Sequence, residues 1–200
     1  MPSRTVVSWN IMITGYSKWG RYNEALTFFS NMHHSNMKLN ESTFTSVLSV
    51  CARIPWLPDG KQIHALALKF GFERFKLVGS SLLYFYSNCF EIGEAQWVFD
   101  ELSGRNGLLW SLMLVGYVQC NLMSDAFHVF VNRPTRDVVA WTTLISGYSK
   151  REDGCERALE LFWLMRESGE VTPNEFTMDC VVRACGRLGV LGEGRGVQCS

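Results

Sequence analysis

Residues 9–16 read WNIMITGY, residues 110–117 read WSLMLVGY and residues 141–148 read WTTLISGY. Each stretch has the form W-x-x-Φ-Φ-x-G-Y, where Φ is an apolar residue. Positions i, i+3, i+4 and i+7 of this pattern fall on one stripe of an α-helix. The pattern therefore predicts an amphipathic helix that recurs along the chain.

Three further segments share this register with other residue types. The six apolar quartets are Trp9, Met12, Ile13, Tyr16; Phe44, Val47, Leu48, Cys51; Gly79, Leu82, Leu83, Tyr86; Trp110, Met113, Leu114, Tyr117; Trp141, Leu144, Ile145, Tyr148; and Met178, Val181, Val182, Cys185. Their first members are 35, 35, 31, 31 and 37 residues apart. A nearly constant spacing of this size indicates a repeated structural unit.

A second helical stripe follows each first one, after a polar or glycine-containing turn. Examples are Ala25, Leu26, Phe29, Met32 and Ala158, Leu159, Phe162, Met165. A single helix–turn–helix hairpin cannot bury its own apolar faces, but stacked hairpins share a continuous core. The predicted fold is all-α: an α-solenoid of stacked antiparallel helical hairpins.

These repeats resemble the pentatricopeptide repeat. The resemblance is carried by VVSWNIMITGYSKWGRYNEALTFFSNM at 6–32 and by VVAWTTLISGYSKREDGCERALELFWLM at 138–165. The alternating lengths, with GKQIHALALKFGF at 60–72, resemble the plant PLS subclass of ordinary, long and short repeats. The resemblance implies a right-handed superhelix over 1–200, and we expect the chain to be a fragment or truncated member.

The resemblance also implies repeat boundaries. The repeats are 6–40, 41–75, 76–106, 107–137 and 138–174, with 1–5 ending a preceding repeat and 175–200 an incomplete one. In that last segment, the glycines of residues 192–196 are expected in the turn and second helix.

Single-stranded RNA is the ligand that the resemblance implies, read one base per repeat by the fifth and last residues. Those pairs are Asn10 and Asn40, Ser80 and Asn106, Ser111 and Asp137, and Thr142 and Asn174. The remaining pair, Thr45 and Phe75, leaves its base open. In the family, apolar second residues sandwich the bases, and here they are Val7, Leu77, Leu108 and Val139; Ser42 departs from this pattern.

The side-chain chemistry of these pairs suggests a base order. Aspartate only accepts hydrogen bonds, which suits the ring N–H of guanine or uracil, whereas asparagine also donates, which suits adenine or cytosine. The family adds that a small hydroxyl in the fifth place favours a purine and asparagine a pyrimidine. The expected order is a pyrimidine (cytosine first), an unread base, A, G and A, from 5′ to 3′. The competing interpretation of each polar residue is a helix cap.

The composition excludes several classes of protein. The chain has 200 residues, 19 Lys+Arg against 19 Asp+Glu, and 47% hydrophobic residues, which is too apolar for a disordered chain. Zero net charge argues against coating nucleic acid or membranes through bulk electrostatics. No apolar run approaches the roughly 20 residues of a membrane span. The seven cysteines form no CxxC pair, so we expect a reducing compartment and no metal site. We expect no cofactor, because the aromatic residues and methionines occupy the helical core stripes.

Catalytic motifs are missing from the sequence. It contains neither the H-x-E nor the P-C-x-x-C of zinc deaminases, and neither a P-loop nor a G-x-S-x-G. We therefore predict that the chain is not an enzyme and has no small-molecule substrate. The family implies a role in C-to-U editing or other RNA processing in a plant organelle, with the mitochondrion ahead of the chloroplast. Editing would then need a C-terminal deaminase extension or editing factors acting in trans.

Two alternatives stay open at this stage. One is a helical-repeat scaffold that binds proteins, which would need apolar or charged anchors along its concave face. The other is a truncated, non-functional remnant of a longer gene, which Arg133 at a normally apolar position favours.

Overall fold

The computed structural model describes residues 5–35, 37–102, 104 and 106–196. These residues form eleven α-helices and no strand, so the predicted all-α fold is confirmed. The helices are α1 Val6–Lys18, α2 Tyr22–His34, α3 Glu41–Arg53, α4 Leu57–Phe70, α5 Lys76–Asn88, α6 Ile92–Glu101, α7 Gly107–Gln119, α8 Met123–Asn132, α9 Val138–Ser149, α10 Cys155–Ser168 and α11 Glu175–Gly196. Residues 1–4, most of the predicted end of a preceding repeat, lie outside the described residues, as do 197–200.

The helices divide into two compact units, α1–α6 and α7–α11. In the first unit α1 packs on α2 and α3, and α3 packs on α4 and α5. In the second unit α7 packs on α8 and α9, and α9 packs on α10 and α11. Each unit is thus a row of helical hairpins whose first helices contact one another. The first helices begin at the residues where the sequence repeats begin: Val6, Glu41, Lys76, Gly107, Val138 and Glu175.

The core is built from the predicted stripes. All four members of the second and third quartets are buried, and so are Trp9, Ile13 and Trp141. The prediction is wrong for Met12 and for three members of the last quartet, Met178, Val182 and Cys185, which are exposed. Helix α11 instead packs on α9 and α10 through a stripe shifted by one residue; its buried members are Thr177, Cys180, Val181 and Ala184.

Helix α11 also continues through residues 192–196, so the turn expected there is absent. Each glycine costs a helix about 1 kcal/mol relative to alanine, so the three glycines at 192, 194 and 196 weaken the helix without ending it.

The turn inside a hairpin recurs with the same backbone geometry. Gly20, Phe90 and Asn121 each follow a first helix with positive φ, at 72°, 60° and 59°. The next residue then donates its backbone N–H to the carbonyl of the motif tyrosine; the pairs are Arg21 to Tyr16, Glu91 to Tyr86 and Leu122 to Tyr117, at 2.9–3.0 Å. This is the Schellman arrangement that ends helices, and it reverses the chain into the second helix.

A buried histidine lies in the first unit between α4 and α5. His64 Nδ1 lies 2.7 Å from the Tyr86 hydroxyl, and His64 Nε2 is buried without a hydrogen-bond partner. Burial lowers the pKa of His64 below 6.5, and the carboxylates of Glu94 and Glu73 oppose this shift. The native state therefore favours the neutral imidazole.

We expect the chain to lose stability as the pH falls below about 6.5, where the unfolded state takes up a proton that the native His64 resists. Thermal unfolding between about pH 8 and about pH 5 measures this dependence. The glutamine of His64→Gln can still hydrogen-bond to Tyr86 but does not titrate. The unfolding temperature of this variant should therefore decrease less than that of the unmodified chain as the pH is lowered. Equal slopes for the two proteins would contradict the prediction.

Candidate nucleic-acid interface

The last residues of four repeats are N-caps of the helices that follow. Asn40, Asn106 and Asp137 accept a hydrogen bond through Oδ1 from the backbone N–H three residues on, at 3.0, 3.1 and 2.8 Å. Asn174 Oδ1 does the same for Thr177 at 2.9 Å. Phe75, the last residue of the repeat without a base assignment, makes no side-chain cap. The helix-cap interpretation therefore holds for all four polar residues. The cap uses the single side-chain oxygen of each asparagine and one of the two carboxylate oxygens of Asp137.

The structure brings together the predicted pair of the first repeat. Asn10 Nδ2 donates to Asn40 Oδ1 at 3.2 Å. Asn40 Oδ1 also accepts from the Thr43 hydroxyl at 2.9 Å, while Asn10 Oδ1 is buried without a partner. Asn10 Oδ1 is thus an unused but buried acceptor, and it lies beside the Asn40 oxygen that already accepts several hydrogen bonds.

The pair Thr142 and Asn174 is joined through a residue that sequence reasoning missed. The hydroxyls of Thr142 and Thr177 are 2.7 Å apart, and Thr177 Oγ1 donates to Asn174 Oδ1 at 2.8 Å. Thr142 is only 5% exposed, and its hydroxyl lies against that of Thr177. The signal was the Asn-x-x-Thr spacing, which Asn40 and Thr43 share and which is typical of a reciprocal helix cap.

The two serines at fifth positions hydrogen-bond to their own helices. Ser80 donates to the Lys76 carbonyl at 2.7 Å, and Ser111 donates to the Gly107 carbonyl at 2.9 Å. Both serines are half-buried. Ser80 belongs to the first unit and its predicted partner Asn106 to the second, whereas Ser111 and Asp137 share the second unit.

Apolar side chains at the second position of the repeats are exposed. Val7, Leu77, Leu108 and Val139 lie in the first turn of α1, α5, α7 and α9, with exposed fractions between 55% and 64%. Phe176 has the same place in α11 and the same exposure, and sequence reasoning missed it although the repeat register points to it. Ser42, which departs from the pattern, is also exposed. Each polar cap therefore lies two residues before an exposed apolar side chain, except in α3, where Ser42 takes that place. Helix α5 has the exposed Leu77 but no polar cap.

Behind Asp137 lies a buried arginine. Arg133 Nη2 donates to Asp137 Oδ2 at 2.9 Å, and the exposed fractions of the two side chains are 1% and 52%. Nε and Nη1 of Arg133 are buried without hydrogen-bond partners. The sequence marked Arg133 as unusual but did not identify its partner, although a spacing of four residues pointed to Asp137.

Several cations on or next to the first helices could meet phosphates. Lys18, Lys76 and Lys150 are exposed. Arg151 pairs with Asp153 at 2.9 Å, and Arg183 pairs with Asp179 at 2.6 Å.

The described part of the chain contains no cluster of three or more His, Cys, Asp or Glu side chains that could hold a metal ion. Burial raises the pKa of the Cys51 thiol to about 12, so this cysteine is not a nucleophile near neutral pH. None of the helices in these ranges has both the length and the apolar composition to cross a membrane.

Comparison with family models places this arrangement among known repeats. The PPR repeat family matches residues 4–53 and 136–187, and the PPR repeat matches residues 108–131.

Relatives in Arabidopsis thaliana are similar over nearly the whole chain. A pentatricopeptide repeat-containing protein is 35% identical over 96% of this chain and 19% of its own length. A second, putative one is 33% identical over 98% of this chain and 28% of its own length. A third, whose name includes "mitochondrial", is 32% identical over 100% of this chain and 26% of its own length. The chain thus spans less than a third of each relative.

Solved structures share the fold. The pentatricopeptide repeat protein PPR10 from maize superposes with a TM-score of 0.78 at 22% identity, over 96% of this chain and 28% of that one. PPR10 in complex with an 18-nt psaJ RNA element superposes with a TM-score of 0.79 at 21% identity, over 98% of this chain and 29% of that one.

Proposed function

Because the chain belongs to the pentatricopeptide repeat family, we propose that it binds single-stranded RNA, one base per repeat, at the starts of its first helices. The observation that carries this proposal is the shared register of two features. An exposed apolar side chain in the first turn recurs in α1, α5, α7, α9 and α11, and a polar side-chain cap precedes each of these helices except α5. A base can lie against the apolar side chain while its edge meets the polar one.

The base assigned to each repeat follows from its fifth and last residues together. We propose cytosine for Asn10 with Asn40, adenine for Ser80 with Asn106, guanine for Ser111 with Asp137, and adenine for Thr142 with Asn174. In the first and last of these pairs, hydrogen bonds join the fifth and last residues directly or through Thr177, which supports their acting together. Because Thr142 is buried, we assign the contact with the base in that repeat to Asn174.

The cellular role is a proposal of the same kind. The chain would act in C-to-U editing or processing of RNA in a plant organelle, as a PLS-type repeat array. The word "mitochondrial" in the names of two relatives supports the mitochondrion over the chloroplast. We propose the chain as a non-catalytic binding module, and deamination would come from editing factors in trans or from a further segment.

Binding to an RNA carrying 5′-CUAGA-3′ tests the proposal. We expect tighter binding to it than to a scrambled RNA or the matching DNA at about 150 mM salt, where nonspecific phosphate contacts are screened. Electrophoretic mobility shift or fluorescence anisotropy measures the three affinities. Equal weak binding to all three would contradict base reading and favour the protein-scaffold alternative.

A matched pair of leucine variants separates the proposed surface from the rest of the chain. Leu108 lies at the start of α7 and Leu164 on α10, and both are exposed. Leu108→Ala should weaken RNA binding by about 1 kcal/mol, roughly fivefold, because it removes apolar surface against a base. Leu164→Ala should leave the affinity unchanged, and an equal loss in both variants would place the RNA elsewhere.

A further inference from the structure

One repeat differs from its neighbours beneath its last residue. Arg133 stands four residues before Asp137, and Leu102 stands four residues before Asn106, so the two have the same register. Leu102 is buried in its unit, against Gly79 of α5. Arg133 is equally buried in the other unit, so a cation stands there in place of the buried apolar side chain.

The buried cation occurs where the last residue is an anion. The last residues of the other complete repeats are uncharged; they are Asn40, Phe75, Asn106 and Asn174. Asp137 alone carries a charge, and the Arg133 guanidinium lies 2.9 Å from it. The pair as a whole is neutral, as the last residue is in every other repeat.

The Asp137 carboxylate is held at both oxygens. Oδ1 accepts from the Ala140 backbone N–H at 2.8 Å, and Oδ2 accepts from Arg133. The side chain is nonetheless half exposed, and a carboxylate offers about four acceptor positions, so it can still receive a hydrogen bond from a ligand. Arg133 and Asp137 also line a groove of about 370 Å³ with Arg136 and Glu170, which leaves space beside the carboxylate.

We propose that Arg133 is a positioning residue that sets the base specificity of the 107–137 repeat. It orients the Asp137 carboxylate toward the N–H of a base and balances its charge beside the phosphates of RNA. This inference rests on the proposed function and adds to it a residue outside the fifth and last positions.

Two physical effects support the assignment. An unbalanced carboxylate is repelled by a polyanion, and the guanidinium removes most of that repulsion. A carboxylate held at both oxygens also loses little freedom when a base binds, so less of the hydrogen-bond energy is spent on ordering it. Nε and Nη1 of Arg133 are fully buried, so the arginine acts through Asp137 and does not contact the base.

Base preference at one RNA position tests the proposal. The probes are RNAs carrying 5′-CUAGA-3′, 5′-CUAAA-3′ and, as an internal control, 5′-AUAGA-3′. Arg133→Met should reduce the preference for G over A at the fourth base by about two- to tenfold, whereas Arg133→Lys, which keeps the charge, should retain most of it. Preference at the first base, assigned to Asn10 and Asn40, should not change in either variant.

A double variant tests whether the preference at the fourth base can be switched from G to A. Arg133→Met with Asp137→Asn reproduces the apolar-plus-amide combination of Leu102 and Asn106, and it should prefer A at the fourth base. Its affinity for the A-containing RNA should approach that of the unmodified chain for the G-containing RNA.

Three outcomes would count against the inference in distinguishable ways. An Arg133→Met variant that binds both fourth-base RNAs with unchanged affinity, and so keeps the full preference for G, overturns the positioning role. If binding to both RNAs weakens equally and the preference for G is unchanged, Arg133 is merely structural, and the positioning role is overturned as well. An unmodified chain that discriminates at no position overturns the proposed function, and the inference fails with it.

Discussion

Replacing Asp137 with alanine should lower the free energy of unfolding by about 3–5 kcal/mol, because it leaves the buried Arg133 guanidinium without a counterion. The Arg133 side chain is 1% exposed, and two of its three guanidinium nitrogens already lack partners. The substitution also removes the cap that Asp137 provides to Ala140, which is worth about 1 kcal/mol. Urea denaturation followed by circular dichroism measures the loss.

A double-mutant cycle isolates the charge effect. Arg133→Met removes the buried cation and leaves a carboxylate that water can reach, so this variant should be as stable as the unmodified chain or more so. Arg133→Met with Asp137→Ala should then lose only the cap, about 1 kcal/mol. If the double variant is as unstable as Asp137→Ala alone, the ion pair does not account for the destabilisation.

The second large effect is expected in the first unit at Gly60, where α4 meets α5. A Cβ atom added at this residue would overlap the ring of Phe85, which is completely buried. Gly60→Ala should therefore lower the free energy of unfolding by about 1–3 kcal/mol, although alanine favours a helix more than glycine does. Thermal and urea unfolding of the purified variant measure the loss.

Another helical glycine provides the matched control. A Cβ at Gly15 in α1 would meet no atom within 4 Å. Gly15→Ala should therefore stabilise the chain by about 0.5–1 kcal/mol, the gain in helix propensity alone. Gly60→Ala combined with Phe85→Leu should lose less stability than the sum of the two single changes, since the smaller side chain relieves the overlap. Stabilisation by Gly60→Ala would contradict the proposed packing.

The fold could be predicted because helical periodicity reports burial directly. Trp9 and Trp141, at corresponding places in separate repeats, are both buried. Periodicity does not state which neighbours a helix has, and this is why the stripe of α11 that packs on α9 and α10 lies one residue from the predicted one.

The site could be predicted less completely, for two physical reasons. The residue types that suit base contacts are also the types that cap helices, so Asn106 fits both roles on its sequence alone. Contacts between residues far apart in the chain depend on how neighbouring helices pack. The hydroxyls of Thr142 and Thr177, 35 residues apart, therefore became a pair only in the structure.

The caps at the repeat starts bear on how such a chain can change its target during evolution. Asparagine and aspartate both begin a helix well, and their codons differ by one nucleotide, yet one side chain donates and accepts while the other only accepts. Under the proposed readout, a point mutation at Asn40 or Asn106 would exchange one base for another and keep the helix capped. Target choice can then drift through a gene family while the fold is preserved, provided that a cation such as Arg133 arises where an anion does.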